Sequence, residues 1–237
     1  MAGGGRTLSQ PQIWVALFQG LWVTVQLSAL GLVLALALGT PLGVLRLSPA
    51  RLPRAVAEGY VALFRGLPLL PVLAFVYFGL PKAGLGLESA LASAALGLGV
   101  YTAAFVAEAV RSGLLAVPEG QREAARSLGL SGVQELRLVL LPQAFRATLP
   151  PLGTVAIALV KNSALASAVA VPELMYRVDA VGGRSFKTWP LLAAFGLYLL
   201  LTVPMALGVN ALERGWRKDA GRSGDGRWPG GGAHLGG

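Results

Sequence analysis

Few residues in this 237-residue chain could carry chemistry, and the absent types narrow it first. There is no cysteine, and the one histidine, His234, lies in a glycine-rich tail. Thiolate or imidazole metal sites, cysteine nucleophiles and disulfides are thereby excluded. Neither a GxxxxGKS/T phosphate loop nor a Ser-His-Asp set is present, so the chain is expected to bind no cofactor and to hydrolyse no ATP itself. What remains is a small set of polar residues inside apolar runs: Arg65 in FRGLP, Glu108, and Lys161-Asn162-Ser163. A charge at the centre of a bilayer costs about 2.5–3.5 kcal/mol, so such groups face protein or water. Their chemistry is the holding of a polar ligand, not bond making.

Each of these residues has a second reading. Arg65 either lines a pathway and pairs with a carboxylate, or sits a turn from the membrane edge and reaches headgroups. Glu108 pairs either with Arg65 or with Arg111, three residues on. Lys161, Asn162 and Ser163 either line a cavity or belong to a small-residue packing face with Ala164, Ala166 and Ser167. Gly39-xxx-Gly43 is a weak signal, because it arises by chance in a Gly/Ala/Leu-rich helix.

The elements that position these groups follow from composition. The chain is 54% hydrophobic and only 13% charged, with a mean hydropathy of +0.64. Soluble domains carry roughly a quarter charged residues. This much apolar surface cannot be hidden in one core, so the fold class is all-α, a polytopic helical membrane protein. A membrane β-barrel is excluded because the apolar runs do not alternate. Residues 7–45, 89–107 and 188–212 contain no charge. Two further apolar stretches are interrupted by Arg65 and Lys161. Five spans are predicted, near 14–45, 59–81, 88–116, 150–172 and 188–212. The first is too long for a cleavable signal peptide.

The net charge of +9 could suggest nucleic acid, but its placement points elsewhere. Arg46, Arg51, Arg54, Arg111, Arg122, Arg126, Arg137, Arg146 and the basic residues after Leu212 fall on one side of the predicted membrane; Arg6, Lys82, Arg177, Arg184 and Lys187 fall on the other. The positive-inside bias then puts residues 1–13 and the N-terminus outside and the C-terminus in the cytoplasm. Residues 213–237 read as a basic, glycine-rich tail that stays disordered.

Between the third and fourth spans, residues 117–149 are too patterned for a linker. Pro118 and Glu119 suit a helix start, Gly129 a stop, and Ser131 with Gln134 a capping box. Pro142 is expected to bend or break the second helix, and Pro150-Pro151 to mark entry to the fourth span. Two uses fit this segment: docking in a groove of a soluble partner, or lying on an anionic lipid surface.

Glu123-Ala124-Ala125, three residues, Gly129, nine residues, Val139, one residue and Leu141-Pro142 resembles the signature loop of the binding-protein-dependent ABC importer permeases. Gly120-Gln121 and Leu141-Pro142-Gln143-Ala144 look like the polar amino-acid subfamily, as do Tyr60–Pro81, Tyr101–Arg111 and Lys161–Ser167. Lys161-Asn162-Ser163-Ala164-Leu165 stands where that subfamily usually has Lys-Asp-Thr-Ser-Leu, so one acidic side chain is lost. Thr154 stands where Asn is usual.

The resemblance implies an ATP-driven importer of polar amino acids in a bacterial cytoplasmic membrane. Two permease subunits, identical or paralogous, would form an alternating-access pathway, and an extracytoplasmic solute-binding protein would deliver the ligand. Cytoplasmic ATPase subunits would use the ATP and grip Gly120, Gln121, Glu123, Ala124, Ala125, Arg126, Leu128 and Gly129. Arg65, Glu108, Lys161, Asn162 and Ser163 would fall along the substrate pathway. The rivals are a permease for another small solute and a non-transporting scaffold whose basic loop binds lipid. Adjoining ATPase and binding-protein genes would separate the importer from the scaffold.

Overall fold

The computed structural model describes residues 9–87, 89–185 and 188–224, without the side chains of 183–185 and 216–224. The described residues form helices and no strands. In chain order they are α1 (Gln10–Leu45), α2 (Arg51–Gly66), α3 (Leu69–Lys82), α4 (Ala90–Leu115), α5 (Glu119–Ser127), α6 (Gly132–Val169), α7 (Leu174–Ser185) and α8 (Trp189–Gly224). By length and apolarity α1, α4, α6 and α8 can each cross a membrane, and α2 with α3 can make a fifth crossing.

That fifth crossing is broken, where the sequence reading expects a single span near 59–81. Pro68 cannot donate to the helical ladder and forces the residue before it out of the α region. Leu67 accordingly takes φ −93° and ψ 144°, and α3 leaves α2 at a bend of 108°. If α3 crosses, α2 lies close to the membrane plane. Its side chains suit that position, with Ala57 and Val61 buried and Arg51, Arg54, Glu58 and Arg65 exposed.

Two π-helical turns, Phe75–Gly79 and Glu135–Leu140, each end just before a proline, Pro81 and Pro142. In both, the next N–H bonds five residues back, Leu80 to Phe75 O and Leu141 to Leu136 O. The wider turn shifts the ladder by one residue where the proline has no N–H to offer. Pro142 therefore does not break the helix, and Pro150-Pro151 lie inside it, so α6 runs unbroken in chain from Gly132 to Val169. Its last turns, Ser163–Val169, tighten to 3-10 geometry before Ala170 turns left-handed at φ 59°.

The ends also differ. α1 starts at Gln10, where the Ser9 N–H donates to Gln12 Oε1 at 3.0 Å and Pro11 occupies the first turn. α8 continues through Gly224, beyond the expected end at 212, despite three glycines in that stretch. The remainder of the expected disordered tail, 225–237, lies outside the described residues.

The tightest packing is between α1 and α4. A Cβ added at Gly39 would lie 2.5 Å from Ala103 O, and one at Gly43 2.7 Å from Ala107 O. The Gly39-xxx-Gly43 pattern, weak as a sequence signal, is a close backbone approach. Leu27, Leu73, Leu98, Leu159 and Val169 form the adjoining core of α1, α3, α4 and α6. Gly196, on α8, has nothing within 4 Å of an added Cβ. Gly39→Ala is expected to lower stability by about 1–3 kcal/mol through overpacking, despite alanine's better helix propensity. Gly196→Ala should be neutral or stabilising. Equal melting temperatures for both variants in detergent would contradict this packing.

Candidate functional site

Glu108 collects the cations expected near it, and one more. Its Oε2 accepts from Arg46 Nη1 at 2.7 Å and Arg65 Nη1 at 3.1 Å. Its Oε1 accepts from Arg111 Nη2 at 2.7 Å. The two sequence readings of Glu108 were alternatives; the structure satisfies both and adds Arg46, which follows α1. One carboxylate thus ties together the ends of α1 and α2 and the C-terminal half of α4. The Arg65 guanidinium also stands 6.0 Å from the centroid of the Phe105 ring.

Phe105 is part of the wall of a cavity of about 370 Å³ between α4 and α6. Its polar lining comes from Tyr101, Thr102, Thr154 and Asn162, and the remainder is apolar. Helical residues advance about 100° each, so Lys161, Asn162 and Ser163 point three ways. Asn162 lines the cavity. Lys161 is exposed beside it and makes no ion pair among the described residues. Ser163 is fully buried on the other side, donating to Val160 O at 2.7 Å, and does not line this cavity. Its hydroxyl was assigned by neighbourhood along the chain; the helix carries it inward.

Glu173 was missed. It is completely buried, and no arginine or lysine among the described residues pairs with it. Four donors satisfy it instead: the N–H groups of Met175 (3.0 Å) and Tyr176 (2.8 Å), and the hydroxyls of Tyr198 (2.9 Å) and Thr24 (3.4 Å). It caps the N-terminus of α7 and fastens that helix to α1 and α8. Thr24 Oγ1 also accepts the Leu174 N–H at 3.1 Å. The available signal was Pro172-Glu173 ahead of an apolar run, a helix start with a carboxylate at the cap.

The segment after α4 matches its predicted pattern closely. Gly129 ends α5 at φ +75°, where a side chain would be strained, and Leu130 N–H returns to Ala125 O at 3.2 Å. Ser131 and Gln134 make the reciprocal capping box. Arg126 binds the buried Glu135 at 3.1 Å, bracing α5 against α6. Gln121 accepts from Gln143 Nε2 at 3.3 Å. Ala125 is only 3% exposed, so its small size serves packing inside the loop. Gly120, Glu123 and Ala124 are outward, and Leu128 is 81% exposed.

Removing the Glu173 carboxylate leaves two backbone N–H groups and two hydroxyls without their acceptor. Each unsatisfied buried group costs about 1–3 kcal/mol. Glu173→Ala is therefore expected to lower the melting temperature sharply, and Glu173→Gln, which keeps one acceptor oxygen, to lower it less. An alanine variant melting like the unmodified chain would remove the capping role.

Comparison with known proteins agrees with this architecture. Residues 29–218 match the family described as binding-protein-dependent transport system inner membrane component. The chain is 39% identical over 198 residues to the "Probable glutamine ABC transporter permease protein GlnM" of Bacillus subtilis, covering 82% of this chain and 90% of that one. It is 37% identical over 210 residues to the glutamate transport system permease protein GluC of Corynebacterium efficiens, with 83% and 92% covered. Among solved structures, an amino acid ABC transporter with histidines superposes at a TM-score of 0.81 and 30% identity, covering 88% of this chain and 97% of that one. The chain therefore belongs to the inner membrane components of binding-protein-dependent transport systems: it is a permease subunit of an ABC importer, and ATP hydrolysis falls to a separate subunit.

Proposed function

We propose that this permease carries polar amino acids through the α4–α6 cavity, and that α5 is its contact with the ATPase. The observation that carries the substrate route is the pairing of Asn162 in the cavity wall with the exposed, unpaired Lys161 beside it. A lysine within the apolar part of a crossing helix cannot rest against lipid tails without an insertion cost, about 2.5–3.5 kcal/mol at the bilayer centre. The face it shares with the cavity is therefore covered by the second permease subunit or filled with water. The amino-acid names of the similar permeases support the ligand class. An extracytoplasmic binding protein would deliver it. The bias of the basic residues supports a cytoplasmic C-terminus and a cytoplasmic α5.

On the coupling side, the support is an apolar surface in an otherwise charged loop. Leu128, Val133 and Leu138 are exposed around α5 and the start of α6, while Arg126–Glu135 keeps the two segments rigid. A protein groove covers such a surface more fully than a headgroup layer does.

Two variants test the proposal. Asn162→Leu presents an apolar wall to a desolvated polar ligand, and uptake into proteoliposomes should fall about tenfold, the loss of roughly one hydrogen bond. Co-purification with the ATPase should persist; undiminished uptake would dismiss the cavity. Gly129→Val forces a β-branched residue to positive φ, and Leu128→Asp puts charge on the docking surface. Both should leave the membrane helices inserted but reduce ATPase co-purification. Normal association and uptake in both would favour the lipid-surface alternative.

A further inference from the structure

Resting on the α4–α6 cavity as substrate route, we infer that it admits amino acids with neutral or acidic side chains and turns away cationic ones. The cavity wall contains no carboxylate; its polar groups are the Tyr101 and Thr hydroxyls and the Asn162 carboxamide. The charges beside it sum to positive: two cations stand nearest, and the one carboxylate next to them, Glu108, is shared among three arginines. Lys161 adjoins Asn162, and the Arg65 guanidinium stands 6.0 Å from the ring centroid of Phe105 in the wall.

No carboxylate among the described residues lines the cavity to compensate an incoming cation. Both oxygens of Glu108 are taken by three arginines. Glu173 is sealed inside the chain among its four donors. Glu58 shares the Arg65 face of α2 but stands two turns, about 10 Å, further along it, and does not line the cavity. A second copy of this chain brings the same set. An arginine or lysine side chain entering here would shed water with no counter-charge and meet two like charges. A carboxylate gains from those charges, and a carboxamide matches the donor and acceptor that Asn162 offers. The α-amino and α-carboxyl groups are common to all candidates, so the side chain decides.

The test reads the membrane cavity without the selectivity of the binding protein. The complete permease–ATPase complex, in nanodiscs and without binding protein, is titrated with radiolabelled glutamine, glutamate, arginine and lysine. Glutamine or glutamate should bind at least about tenfold more tightly than arginine or lysine. Asn162→Asp should shift that ratio by about tenfold toward the cations, the effect of one added charge pair worth about 1.4 kcal/mol. Thr154→Asp, on the same wall, should shift it in the same direction and guards against a folding defect in the first variant. Equal or tighter binding of arginine or lysine by the unmodified complex would overturn the inference, and so would an unchanged ratio in both aspartate variants. Failure of the underlying route looks different: Asn162→Leu would then bind every amino acid as the unmodified complex does. Absence of binding by any amino acid overturns both.

Discussion

The structure depends on the rule that polar groups in hydrocarbon must find partners within protein or water. Glu108 meets it with three arginines, and in doing so holds the ends of α1 and α2 against α4. Glu173 meets it with four donors and holds α7 to α1 and α8. These two carboxylates sit toward opposite ends of the bundle, so each ties off one end of the helix packing. Lys161 meets the rule nowhere among the described residues of its own chain. On the proposed route, this exposed lysine marks the face where a pathway and a second subunit are needed.

Backbone irregularity serves the same end. Proline in a helix normally costs a hydrogen bond, yet Pro81 and Pro142 each follow a π turn that realigns the ladder. α6 can thus run from the segment beside α5 through the cavity wall to its 3-10 end as one mechanical piece. A displacement of α5, braced to it by Arg126–Glu135, has a continuous path to Asn162. Where the chain instead needs to change direction, Pro68 is preceded by extended Leu67 and the helix stops.

Much of this was legible in the sequence because it is local. Charge-free length gave the crossings, Ser131–Gln134 gave a helix start, and Gly129 gave a left-handed stop. What was not legible depends on partners distant in the chain. The Gly39 and Gly43 contact needs α4 brought alongside α1, and a glycine pair alone does not say which helix will come. Thr24 and Tyr198 converge on Glu173 from far along the chain in both directions, so no spacing rule finds them. The split of Lys161, Asn162 and Ser163 was open to a helical-wheel reading, but which of the three faces the cavity depends on where α4 packs. The 108° turn at Leu67–Pro68 was obscured because apolar residues continue on both sides of it.

The central claim is that the Lys161–Asn162 face borders a water-filled route and does not face lipid. The chain has no cysteine, so a single one can be introduced and read without background. In the assembled transporter, Lys161→Cys should react with a membrane-impermeant thiol reagent, and transported substrate should slow the reaction. Leu200→Cys, exposed on α8 in a run of leucines, should resist the same reagent. If Lys161→Cys is as unreactive as Leu200→Cys in every nucleotide state, the face is dry and the route lies elsewhere.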